Sequence, residues 1–161
     1  MAKTKMPERT GGEKVVTTNR KAFHDYFVEE TIEAGVVLQG TEIKSIRQGR
    51  VNLREAYARI ENGELWLIGA HISPYEHSGV YFNHDPDRPR KLLIHHSELS
   101  YLRSKVEASG YTLVPIRLVL RKGRAKVDIA LAKGKKLYDK RDAMAERDAK
   151  RNIERELRER N

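Results

Sequence analysis

The chain contains no cysteine. That excludes a disulfide framework and any thiolate metal site, and it fits a reducing compartment. No apolar run is long enough to cross a bilayer, and the opening "MAKTKMPERTGGEK" has no secretory core, so a cytoplasmic location is expected. A glycine-rich phosphate loop, an H-x-x-x-H pair and a nucleophile elbow are all missing. Six histidines are present, but the adjacent His95 and His96 point to opposite faces of an extended chain and do not chelate together. His24-Asp25 and His84-Asp85 are sequence neighbours, and neighbours rarely face one another. Catalysis therefore has no cluster to carry it. We expect a binding protein rather than an enzyme, with no cofactor and no metal.

What the chain has in excess is positive charge at its ends. The net charge is +9. Residues 1–21 hold six basic and two acidic side chains, and residues 133–161 hold eleven and seven, so each end carries +4. The middle, 22–132, is nearly neutral at +1. Cationic extensions on a nearly neutral domain suit a polyanion, because each neutralised phosphate releases counterions.

Local patterns divide the chain into three parts. Residues 1–18 mix Lys, Thr, Pro and Gly-Gly without periodicity and read as a disordered basic N-terminus. Residues 19–132 read as one domain, and 133–161 as a basic C-terminal tail. Within the domain, Asn19 caps a short amphipathic turn, "NRKAFHDYF". "VEETIEAGVVLQG" has strand composition, with a bulge or bend expected at Gly35. "TEIKSIRQG" reads as two helical turns capped by Thr41 and stopped by Gly49. Asn62-Gly63 marks a type I′ hairpin whose inner face carries Ala56, Ala58 and Ile60. A long loop follows, with Pro86 and Pro89 as punctuation. "HSELSYLRSKVEASG" is a helix with Ser97 as N-cap, a stripe of Leu99, Leu102 and Val106, and Gly110 as stop. In the last hairpin Ile116, Leu118 and Leu120 face Val127, Ile129 and Leu131, while Arg117 and Arg121 point outward.

Antiparallel hairpins interrupted by short helices close most economically as a barrel. The expected fold is mainly β: an oligonucleotide-binding (OB-type) antiparallel β-barrel with short inserted helices and a basic tail. RNA sites combine cations for phosphates with flat side chains for unstacked bases. Arg20, Lys21, Phe23, His24 and Tyr26 offer that mixture once, and Tyr81, Phe82, His84, Arg88, Arg90 and Lys91 offer it again in the long loop. For Phe23, Tyr26 and Phe82 a place in the core is at least as good a reading. Glu29, Glu30 and Glu33 would repel phosphate, but could orient cations or accept hydrogen bonds from base amines.

Four stretches, in order, carry a resemblance: "NRKAFHDYFVEETIEAGVVLQGTEIKSIRQGRVNL", "ELWLIGAHISPY", "DPDRPRKLLIH" and "AKGKKLYDKRD". Together they resemble the bacterial SsrA-binding (small protein B) family from about Asn19 to Arg141, with the family's basic tail beyond. The resemblance implies a protein that binds the tRNA-like domain of transfer-messenger RNA and brings it to stalled ribosomes for trans-translation, the rescue reaction that tags incomplete proteins. It implies partners in that RNA and in the ribosome's decoding centre and mRNA channel. Elongation factor Tu and alanyl-tRNA synthetase would be indirect partners, through the RNA.

Matched by motif, Asn19, Arg20, Lys21 and His24 lie in the segment that approaches the RNA. Glu33 in "EAG" and Leu93 in "RKLL" match positions tied to RNA binding, with Arg90 and Lys91 beside them. Gly134, Lys135, Lys136, Tyr138, Asp139, Lys140 and Arg141 match the tail motif used inside the ribosome. Two residues depart from the pattern. Tyr138 stands where other members can carry His, and His95 where they can carry Asn. Tyr138 keeps a stacking plane but cannot become cationic. The tail has acid-first i,i+4 pairs (Glu146–Lys150, Glu154–Arg158, Glu156–Arg160) but only Met144, Ile153 and Leu157 as an apolar stripe. It is expected to be disordered or frayed when free and helical on the ribosome. A general structured-RNA or ribosome-binding protein of the same fold, without a rescue role, is the alternative.

Overall fold

A computed structural model describes residues 12–79, 81–135 and 137–159, with backbone alone at 137–143. The order of elements is β1 (Glu13–Thr18), α1 (Arg20–Asp25), β2 (Tyr26–Val36), α2 (Gly40–Arg47), β3 (Val51–Asn52), β4 (Tyr57–Glu61) and β5 (Glu64–Ile68). Then come β6 (His71–Ile72), β7 (Arg90–Leu93), α3 (His96–Ser109), β8 (Thr112–Arg121), β9 (Arg124–Gly134) and α4 (Leu137–Glu159). Strands β8, β4, β5, β7, β2 and β9 pair antiparallel in that order, and β9 returns to β8 to close the ring. The expected antiparallel barrel is present. Closure leaves the ring without a free edge.

Two hairpins follow from backbone requirements. Asn62 and Gly63 have φ of 51° and 74°, and Lys122 and Gly123 have 50° and 76°. Positive φ at both central positions is the type I′ geometry, whose twist matches that of the flanking strands. Alternation then sends Ala58, Leu65, Leu67, Leu118, Val127, Ile129 and Leu131 into one buried cluster. Leu102 of α3 is wholly buried there, with Leu99 and Val106 packed beside it, so α3 covers the barrel core as its stripe predicts.

Several expectations are corrected. Residues 13–18 belong to the domain: β1 pairs with β8 from Glu13–Arg121 to Thr18–Arg117. Beta-branched Val15, Val16, Thr17 and Thr18 suit a strand, and long β8 has free backbone beyond its contact with β4. Gly35 is not a bulge, since it pairs with both Leu93 and Lys126; the irregularity in β2 falls between Val28 and Glu30. Gln39 rather than Thr41 caps α2, because the Glu42 carboxylate folds back to the Gln39 N–H at 2.8 Å. His95 rather than Ser97 caps α3, for the same reason through Glu98.

The register shift between Pro115 and Arg117 has larger consequences. It turns Ile116 out of the main core into a second cluster with Ala22, Val114 and Ala130, beneath α1. Arg117 keeps the outward face expected of it beside Leu118, but it is buried there, 3.9 Å from the buried Asp128 of the paired strand. Burial raises the Asp128 carboxyl above the usual aspartate range against the opposing pull of Arg117.

The tail forms one helix, α4, the conformation expected of it on the ribosome. Its residues are good helix formers and its acid-first pairs reinforce it. Met144, Ile153 and Leu157 remain more than half exposed, as their thin stripe predicts. Residues 1–11, Lys136, the Arg160 end of one i,i+4 pair and the side chains of Tyr138, Asp139, Lys140 and Arg141 lie outside the described residues.

Candidate nucleic-acid interface

The start of α1 is built around Asn19. Its Oδ1 accepts from the Ala22 N–H at 3.3 Å, while Nδ2 donates to the carbonyls of Pro115 (2.9 Å) and Leu53 (3.0 Å). Its own N–H donates to Ile116 O at 2.7 Å. Asn19 is thus buried and committed to holding α1 against β8 and the segment after β3. It positions its neighbours rather than offering itself to a ligand.

Those neighbours open onto a cleft of about 510 Å³. Arg20, Lys21 and His24 of α1 line it with Asn52, Arg54 and Arg147 of α4. Arg20, Arg54 and Arg147 are exposed. Lys21 is held by Glu55 at 2.8 Å. His24 Nδ1 lies 2.8 Å from Asp25, so this pair does face, contrary to the sequence expectation. The short helix ends there, and its last turn brings the two side chains together. Four cationic side chains, Arg20, Lys21, Arg54 and Arg147, lining one cleft form a ready site for phosphate oxygens.

A second cluster lies on the outer face of β2, where the side chain of Glu33 points away from the barrel core that holds Ala34. Glu33 binds the Arg121 guanidinium with both oxygens, at 3.0 and 2.9 Å, and Glu13 holds the same group at 2.7 Å. Hydrogen bonding to Glu13 and the charge of Glu33 hold that guanidinium ionised more firmly. Glu33 therefore orients a cation, one of the two roles open to it. Leu93 is half exposed beside Gly35, where an added Cβ would stand 3.6 Å from its own Cβ. Glu33 lies seven residues along β2 from the foot of α1, about 23 Å of strand.

The long loop is a different matter. Arg90, expected to face RNA, is wholly buried with Glu42. Its Nε donates to Glu42 at 2.7 Å, and its other nitrogens to the carbonyls of Ala70 (2.5 Å), Pro86 (2.9 Å) and Asp85 (3.3 Å). Arg88 donates to the same carboxylate. Burial pushes Glu42 up, but hydrogen bonds from Arg88, the Gln39 N–H and Arg90 outweigh it and hold the carboxyl below its ordinary value.

His84 is buried too. Its Nε2 lies 2.8 Å from Ile72 O, which can only accept, so Nε2 carries the hydrogen, and in the neutral ring Nδ1 accepts a hydrogen bond from the Thr41 hydroxyl at 2.8 Å. His71, unremarked in the sequence, pairs with Asp87 at 2.7 Å. The loop's cations and histidines thus secure the loop itself, while Lys91 pairs with Glu64 at 3.1 Å. Tyr81 and Phe82 are 94% and 82% exposed, so Phe82 is outside the core, whereas Phe23 and Tyr26 pack on the second cluster.

Arg54, Arg121 and Arg147 were missed as candidates. Nothing near them in sequence marks them, since they reach the two clusters only through β-pairing and the placement of α4. Lys135 is turned back onto α1, with its Nζ 3.2 Å from Phe23 O. Among the described residues, no group of three or more His, Asp or Glu side chains is placed to hold a metal, and no helix is long and apolar enough to cross a membrane.

Comparison with known proteins agrees with this geometry. The family pattern described as "SmpB protein" matches residues 16–159. The SsrA-binding protein of Roseiflexus castenholzii is 64% identical over 155 residues, covering 96% of this chain and 98% of that one. That of Desulfitobacterium hafniense is 61% identical over 148 residues, covering 92% and 94%. A solved chain described as "tmRNA-SmpB: a journey to the center of the bacterial ribosome" superposes with a TM-score of 0.64 at 51% identity, over 76% of this chain and 85% of its own. With its barrel, its cationic cleft and this extent of identity, the chain belongs to the SmpB family of SsrA-binding proteins.

Proposed function

We infer that this chain binds the tRNA-like domain of transfer-messenger RNA and carries it to stalled ribosomes for trans-translation. The observation that carries the reading is the cleft beside α1. Arg20, Lys21, Arg54 and Arg147 line it, in a chain that is 64% identical to an SsrA-binding protein. Phosphate contacts of this kind supply affinity and register, and the RNA's shape supplies identity. The outer face around Glu33, Arg121 and Leu93 extends the same surface towards the far end of β2. The tail segment from Gly134 to Arg141 serves the decoding centre and mRNA channel, where RNA walls screen its cations. The protein acts in the cytoplasm as a binding partner and not as a catalyst. Elongation factor Tu and alanyl-tRNA synthetase meet it only through the RNA.

The test is to sequence the RNA that co-purifies with the full chain and to titrate the tRNA-like domain against it at two salt concentrations. One dominant transfer-messenger RNA is expected. Neutralising three or four phosphates should weaken binding by roughly 20- to 150-fold between 50 and 200 mM salt. Mixed ribosomal fragments, or affinity indifferent to salt, would overturn the reading.

A further inference from the structure

Strand β1 stands outside the closed ring, paired to the edge of β8 that β4 leaves free. Its first residue, Glu13, lies opposite Arg121 of β8. Arg121 leans the other way, over β9, to reach Glu33 of β2. Strands β8 and β2 are two strand spacings apart, roughly 10 Å. Two long side chains close that gap when the arginine is aimed across β9.

Exposure shows which member anchors the others. The Glu13 side chain is 7% exposed, against 32% for Arg121 and 27% for Glu33. A carboxylate this enclosed has to keep its cation, because an uncompensated buried charge is costly. Glu13 Oε1 accepts from Nη2 of Arg121 at 2.7 Å, the shortest of the three bonds. Nη1 and Nη2 then meet the two Glu33 oxygens at 3.0 and 2.9 Å. Strand pairing fixes Glu13, Glu13 fixes the guanidinium, and the guanidinium fixes Glu33. An ionised carboxylate offers about four lone-pair sites, so Glu33 keeps acceptor capacity beyond these two bonds.

We propose that Glu13 is a positioning residue for RNA binding: through Arg121 it holds the Glu33 carboxylate in one orientation, ready to accept a hydrogen bond from the RNA. Glu13 itself does not touch the RNA. This rests on the function inferred above and adds β1 to the binding machinery.

Glu13→Leu removes both oxygens, whereas Glu13→Gln keeps one to accept from Arg121. Titrated with the tRNA-like domain, the full chain carrying Glu13→Leu should bind about five- to tenfold more weakly than the parent, and Glu13→Gln no more than about threefold. Glu13→Thr, a good strand former without a carboxylate, should match Glu13→Leu and so exclude fraying of β1 as the cause. The salt slope should stay that of the parent, because no phosphate contact is lost. A slope steeper by about 0.7–0.9 would mean that the released Arg121 takes up a phosphate, and would overturn the proposal.

In an Arg121→Leu background Glu13 has nothing to hold, so adding Glu13→Leu should cost no further affinity. A merely structural contribution of β1 would persist there. Additive losses, or parent-like affinity in Glu13→Leu alone, overturn the proposal. In the free chain, nitrogen NMR of the Arg121 guanidinium reads the hold directly: rotation about Cζ–Nε should be slow in the parent and faster in Glu13→Leu. Equal rates overturn the proposal as well. Failure of the parent to bind the tRNA-like domain would sink the functional reading instead, and leave the rotation rates to decide the hold.

Discussion

Replacing Glu42 by Gln removes one charge and almost no volume from the most enclosed polar site described. Both Glu42 and Arg90 are wholly buried, and the carboxylate takes hydrogen bonds from Arg88, Arg90 and the Gln39 N–H. The change leaves the Arg90 guanidinium buried without a counter-charge, a defect that typically costs about 3–5 kcal/mol. That is a large part of the roughly 5–15 kcal/mol that holds a domain folded.

Urea unfolding of Glu42→Gln against the parent, followed by tryptophan fluorescence from Trp66, measures it. The double variant Glu42→Leu/Arg90→Met removes both charges and should recover more than half of the loss. The sign with pH is also set. The folded carboxyl lies below its ordinary value, so its contribution is present above the unfolded value of about 4.3 and fades as pH falls below it. Glu42→Gln should flatten that acid limb. A loss under about 1 kcal/mol, or a double variant worse than the single, would refute the argument that this pair holds the long loop.

Asn19→Ala should cost about 2–4 kcal/mol, from a lost cap and two buried carbonyls left without a donor. Its RNA affinity should fall without a change in salt slope; a reduced slope in titration would instead make Asn19 a phosphate contact. Truncation after Lys136 should leave binding to free RNA largely intact and abolish tagging. Gel-shift and tagging assays that fall together would reject this division of labour. At Tyr138, Phe should support tagging and Ala should not, because a stacking role needs the ring but not the hydroxyl.

Local signals were legible wherever a single residue had one conformational task. Asn62-Gly63 announced its turn because few other pairs accept positive φ twice, and Asn19 announced a cap because its side chain can satisfy a helix N–H. The alternation in β8 and β9 identified most of the core for the same reason, period 2 being a local property. Ile116 was misread because a register shift between Pro115 and Arg117 reversed the alternation there, and Pro115, which has no N–H to donate to a ladder and so marks a bulge in a paired strand, was the signal passed over. The family resemblance pointed to the segment around α1 and to Lys135, and the mixture of cations and flat side chains in the long loop pointed to Arg90, but the side chains of Lys135 and Arg90 turned out to bond within the protein itself.

Composition and order of residues thus decided the barrel, the cationic ends and the location of α1, since these depend on periodicity, turn chemistry and net charge along the chain. Only the folded molecule decided which cations are free to meet a ligand. A lysine or arginine looks the same in sequence whether it faces solvent or Glu42. Its availability depends on which carboxylates and carbonyls other strands bring within 3 Å. Those pairings join residues such as Glu13 and Arg121, 108 positions apart, and distance along the chain carries no trace of them.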